Sequence, residues 1–133
     1  MHLGQSDLAL VDARRVAPAL ALGVSTHGLE QLERALAERP AYVALGPIFR
    51  TSSKLDPEPV VGLDVLAEAS RRCGAVGIPL LAIGGLTLEN APSVARWATL
   101  GAVISALLPE SGLAEVGRAT AALHAALAGA GVR

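Results

Sequence analysis

The chain reads as an α/β protein built on a parallel sheet, and two observations carry that reading. Short, almost continuously apolar runs ending in Gly or Ser alternate with longer stretches of helical period. Polar residues collect just after each run, at the carboxyl end of the strand it would form, and in parallel α/β folds that edge carries the ligand. The 133 residues suit a single domain, 1–133, with enough chain to bury a core.

The elements follow in order. His2-Leu3 is a residual strand, and Ser6 to Val16 is expected as a helix with Asp7 in its first turn, where negative charge suits the helix dipole. Leu22 to Ser25 is the next strand. Leu29, Leu32 and Leu36 then recur at helical spacing with the charges elsewhere. Tyr42 to Gly46 forms a third strand, and Leu63, Leu66 and Ala67 begin another helix. Leu80 to Gly84 is a strand. After it, Thr87 to Asn90 supply capping groups for a helix through Val94 and Trp97. Ala102 to Ser105 is the last strand and Leu113 to Leu127 the last helix. Because the strands are nearly continuous in apolar residues, both of their faces are expected to be covered.

Composition excludes several kinds of protein. Eleven basic residues against twelve acidic leave no basic footprint for nucleic acid, and one Trp, one Tyr and one Phe leave little for bases to stack on. Gly and Pro interrupt the apolar content before any run reaches the roughly 18 residues of a membrane span, so no membrane partner is expected. The amino terminus lacks the charged-then-apolar layout of a signal peptide, which points to the cytoplasm. Cys73 has no internal disulfide partner and is read as a small packing residue.

The candidate site residues sit at the strand ends. Lys54, the only lysine, stands in the loop Arg50-Thr51-Ser52-Ser53-Lys54, where hydroxyls and an ammonium together suit a phosphate or diphosphate; the alternative is an ordinary polar loop. Ile83-Gly84-Gly85-Leu86-Thr87 leads into a helix and offers bare backbone amides to an anion at a helix N-terminus. Ser105 ends the next strand, and barrel enzymes often hold phosphate between the loops of their last two strands. Asp7 is either a Mg²⁺ ligand or a helix cap. His27 is either an acid–base group or a loop hydrogen-bonder. His2 is read as packing or hydrogen-bonding at the strand end, and His124, in the last helix, as a surface or core residue.

Taken together, His2-Leu3-Gly4-Gln5-Ser6-Asp7, Gly23-Val24-Ser25-Thr26-His27, Tyr42-Val43-Ala44-Leu45-Gly46-Pro47-Ile48-Phe49, Thr51-Ser52-Ser53-Lys54, Ala82-Ile83-Gly84-Gly85-Leu86-Thr87 and Val103-Ile104-Ser105-Ala106 resemble the thiamine phosphate synthase family. The resemblance implies a (βα)₈ TIM barrel, here incomplete, with about the last five βα units of the barrel. It also implies a transferase that joins an aminopyrimidine methyl diphosphate to a thiazole phosphate, making thiamine phosphate and releasing diphosphate. In that frame Asp7 helps hold Mg²⁺ on the diphosphate, and Ser25 and Lys54 contact the leaving diphosphate. Thr51 and Ser53 bind the thiazole phosphate, and the amides of Gly85 and of Ile104-Ser105 complete that phosphate site.

Two departures from the family pattern stand out. Leu55 replaces a second basic residue, and the units that would precede His2, with their diphosphate-gripping side chains and an Asn-Asp pair, have no counterpart here. Met1 stands where the family often has Val, so the chain is expected to be either a truncated gene model or a protein that completes itself by association. An unpaired first strand and an open inner barrel face favour self-association. Little synthase activity is expected of the isolated chain. Two other readings stand beside the synthase: a thiazole tautomerase using His27, and a non-catalytic phosphate-binding half-barrel.

Overall fold

The structure, a computed structural model, describes residues 1–53, 58–107 and 113–128. Its strands are β1 (His2–Leu3), β2 (Gly23–Thr26), β3 (Tyr42–Leu45), β4 (Leu80–Ile83) and β5 (Leu100–Ala102). Its helices are α1 (Leu10–Val16), α2 (Leu29–Ala37), α3 (Gly62–Val76), α4 (Ala91–Ala95) and α5 (Leu113–Ala128). Every strand pair is parallel and the spatial order is β1-β2-β3-β4-β5. A doubly wound open sheet reverses its order at a switch point, whereas this sheet keeps one direction throughout, as a barrel wall does.

Strand register sorts the side chains into two faces. Val24, Val43 and Leu80 form one row and Thr26, Leu45 and Ala82 the row two residues on, so both point to the same side. Leu32 of α2, Leu66 of α3 and Val94 of α4 share the resulting core with Val43, Leu45, Leu80 and Ala82, all fully or almost fully buried. Burying each Leu or Val of this set is worth about 1.5–3 kcal/mol. Thr26 is the buried polar member, and its hydroxyl donates to the Ala44 carbonyl at 2.9 Å, so it leaves no unmet donor. A smaller cluster of Leu3, Leu10, Ala13 and Leu22 packs α1 onto the β1 edge.

Helix α3 shows how sequence sets an element. Leu66, Ala69 and Cys73 recur every three or four residues and are its buried stripe. Gly77 ends the helix in the left-handed region at φ 70°, and the Ile78 amide returns to the Cys73 carbonyl at 3.1 Å. Burial pushes the Cys73 thiol up to about 11, in keeping with a packing role. On the outer surface, Arg72 joins Glu33 of α2 to Glu68 of α3, and Arg71 also binds Glu68. Hydrogen bonds from Arg71 and Arg72 pull the Glu68 carboxyl down to about 2.

Several expectations are corrected. Among the described residues, helices cover one face only. On the other face Ile83 is 36% and Leu100 50% exposed, because in a barrel the opposite wall covers that side and these five strands do not supply it. The last strand is Leu100–Ala102 rather than Ala102 to Ser105. Its pairing ends where Ile83 of β4 meets Ala102, and Ser105 opens a short 3-10 turn. The first helix begins at Leu10, not Ser6. The Asp7 carboxylate accepts the Gly4 amide at 2.7 Å in a tight turn, and Asp12 is the acid in the first helical turn. Helix α4 starts at Ala91, after a turn in which the Thr87 amide donates to the Asn90 side chain at 2.8 Å and the Asn90 amide to the Thr87 hydroxyl at 3.3 Å.

Candidate phosphate-binding site

The carboxyl ends of β2, β3, β4 and the segment after β5 surround a cavity of about 350 Å³, at the small end of the roughly 300–1,000 Å³ typical of small-molecule pockets. Ser25 enters it from β2, Thr51 and Ser53 from the loop after β3, Gly85 from the turn after β4, and Ile104 and Ser105 from beyond β5. Residues scattered from position 25 to position 105 thus meet at one rim. Asp7 does not line this cavity. It lines a separate recess with Gln5 on the α1 and α2 side of the sheet, and the Gln5 side-chain amide donates to the Ser25 carbonyl, which ties the Asp7 loop to the Ser25 strand. Lys54 and Leu55 lie outside the described residues.

The wall between Thr51 and Gly85 is built by backbone. After the cis Gly46-Pro47 peptide, the Ile48 amide donates to the Ile83 carbonyl at 2.9 Å and the Phe49 amide to the Gly84 carbonyl at 3.1 Å. The two loops approach so closely that a Cβ on Gly85 would sit 2.4 Å from the Arg50 carbonyl oxygen, and Gly85 holds φ 68°. Glycine is therefore required here twice over. This changes the reason given for the Gly-Gly pair: the five-residue α4 begins well after Gly85, so the pair serves loop contact rather than a helix N-terminus. The Asn90 side-chain amide holds the Gly85 carbonyl at 2.9 Å and orients the peptide.

Two titratable side chains also line the cavity. His27 Nδ1 lies 2.6 Å from the Gly46 carbonyl oxygen, which only accepts, so Nδ1 carries a proton and Nε2 is the ring's second functional atom. Glu58 was given no role from sequence, where it lies between Pro57 and Pro59 with no spacing that would mark it, yet it lines the cavity. The Thr51 hydroxyl oxygen accepts the Ser53 amide at 3.2 Å, which fixes the loop and leaves the hydroxyl proton for a ligand. His124 is exposed on α5, away from the strand ends. Among the described residues no group of three or more His, Cys, Asp or Glu side chains is placed to hold a metal ion, and no helix is long and apolar enough to cross a membrane.

A one-way parallel wall with its hydroxyls and bare amides gathered at the strand carboxyl ends is the architecture of a (βα)₈ barrel. A family model described as thiamine monophosphate synthase matches residues 1–107, and the chain belongs to that family. It is 44% identical over 120 residues to a thiamine-phosphate synthase of Methanocella arvoryzae, covering 89% of this chain and 55% of that protein. It is 43% identical over 132 residues to one of Roseiflexus sp., covering 98% of this chain and 53% of that protein. A solved structure of thiamine phosphate pyrophosphorylase from Pyrococcus furiosus superposes with a TM-score of 0.81 at 31% identity, over 97% of this chain and 59% of the other. The chain therefore spans little more than half the length of these relatives.

Proposed function

We propose that the chain contributes the thiazole-phosphate half of a thiamine phosphate synthase site, in which an aminopyrimidine methyl diphosphate is coupled to a thiazole phosphate. The observation that carries this reading is the convergence of Ser25, Thr51, Ser53, Gly85 and Ser105 on one cavity within a chain of this family. Thr51 and Ser53 hydroxyls, with the amides of Gly85 and of Ile104-Ser105, bind the thiazole phosphate and so position the nucleophilic nitrogen. Ser25, with Lys54, contacts the departing diphosphate and stabilises the charge that grows on it. Both substrates are small and water-soluble, and a cytoplasmic enzyme suits them.

Magnesium fits this chemistry through Asp7, since Mg²⁺ is commonly held by one or two carboxylates together with substrate phosphates. When bound, it would neutralise charge on the diphosphate. Asp7 stands on the loop that Gln5 ties to the Ser25 carbonyl, and that link is the support for the assignment.

Calorimetric titration with thiazole phosphate tests the reading. Thr51→Val is expected to weaken binding about tenfold or more, the worth of a hydrogen bond to a charged group. Unchanged affinity in that variant, or no binding by the chain as it stands, would count against the assignment. A second reading, thiazole tautomerase, is favoured by one feature: His27 lines the cavity with Nδ1 committed to Gly46. Tautomerase turnover without coupling, abolished by His27→Asn, would select it.

A further inference from the structure

Behind Ser25, on the open face of the sheet, stands a pair of side chains to which the reading above assigns nothing. His2 of β1, Gly23 of β2 and Tyr42 of β3 lie in one row of the register, and Ser25 lies on the same face two residues beyond Gly23. Gly23 is the gap that admits the Tyr42 ring: a Cβ there would lie 2.1 Å from the ring. The phenol crosses β2 and stacks on the His2 imidazole, with centroids 5.6 Å apart and planes at 17°. His2 Nδ1 then lies 3.0 Å from the Tyr42 hydroxyl and Nε2 2.7 Å from the Ser25 hydroxyl. The imidazole is held at both nitrogens and across its face, and Ser25 is the only one of the three that reaches the cavity.

A neutral imidazole carries one N–H, so the two hydrogen bonds cannot be oriented independently. A phenol, with a pKa of about 10, is a stronger donor than an aliphatic alcohol. Tyr42 therefore donates to Nδ1, and Nε2–H donates to the Ser25 oxygen. Ser25 is left with its own O–H to offer to the cavity. In the opposite tautomer the Ser25 proton would be spent on His2, and only oxygen lone pairs would face an arriving anion. The ring is kept neutral by its surroundings: desolvation pushes the His2 pKa down, the Met1 ammonium adds to this, and Asp7 opposes both.

We propose that Tyr42 and His2 are positioning residues that polarise Ser25, fixing its hydroxyl as a donor toward a phosphate or diphosphate in the cavity. The inference rests on the anion-binding reading for its purpose, but its geometry is independent of that reading.

The first test is the His2 tautomer, read by NMR on the full chain with ¹⁵N-labelled histidine, the three histidine signals being assigned through His2→Gln. A single Nε2–H tautomer at neutral pH is expected; an Nδ1–H tautomer or an even mixture overturns the proposal whether or not the chain binds any anion. The second test uses inorganic diphosphate as probe. Tyr42→Phe, which keeps the ring, is expected to release the tautomer and weaken diphosphate binding about tenfold, with no further loss from the same change in a Ser25→Ala background. Equal losses in both backgrounds would mean that Tyr42 acts through the fold, which overturns the relay. If the unaltered chain fails to bind diphosphate while the tautomer is as expected, the functional reading fails and the positioning geometry stands.

Discussion

On the helix-covered face of the sheet Val43, Leu45 and Leu80 are at most 1% exposed, while on the open face Ile83 of β4 and Leu100 of β5 are a third to a half exposed. Both sets are aliphatic, so their chemistry is the same and only their company differs. The covered face holds the fold together. The open face carries the polar trio of His2, Tyr42 and Ser25, and leads at its carboxyl edge into the cavity. A face that is not filled by helices is one that can hold polar groups aimed at a ligand.

Substitutions can break that contrast. Leu45→Ala removes a fully buried side chain between β3 and its helices and is expected to cost about 2–5 kcal/mol, measured by urea denaturation. Gly85→Ala places a methyl against the Arg50 carbonyl at a φ of 68°; a loss of about 1–3 kcal/mol is expected, with thiazole phosphate binding impaired in the fraction that folds. A smaller effect lies outside both faces, on the α2–α3 surface. Because the Glu68 pKa is depressed in the folded chain to about 2, its contribution is present above the ordinary carboxylate value and is lost as pH falls toward 2. Denaturation midpoints across that window should fall less steeply in Glu68→Gln. Least affected is Leu100→Ala on the open face, expected to stay within about 0.5 kcal/mol of the unaltered chain. A cost close to that of Leu45→Ala would show that the open face is covered in solution.

Much of this was legible from the residues. Apolar runs and helical spacing located every strand and helix to within a few positions, because a strand or a helix stripe is a local pattern that the solvent reads one turn or one pleat at a time. Motifs at the strand ends named Ser25, Thr51, Ser53, Gly85, Ile104 and Ser105, which line one cavity, together with Asp7, which lines another, and Lys54, which lies outside the described residues. Boundaries were less legible. Asp7 went to Gly4 instead of a helix, and Ser105 to a turn instead of a strand, since a side chain that finds a nearby backbone partner, or a strand that runs out of neighbour, ends an element regardless of propensity.

The order of elements, the parallel pairing and the family were thus determined by sequence alone, because each follows from patterns a few residues long repeated along the chain. Which face of the sheet is covered, why Gly85 has no side chain, that Glu58 reaches the cavity, and that Tyr42 crosses Gly23 to hold His2 against Ser25 were decided only in three dimensions. These depend on distances between residues far apart in the chain, and no local pattern records such a distance.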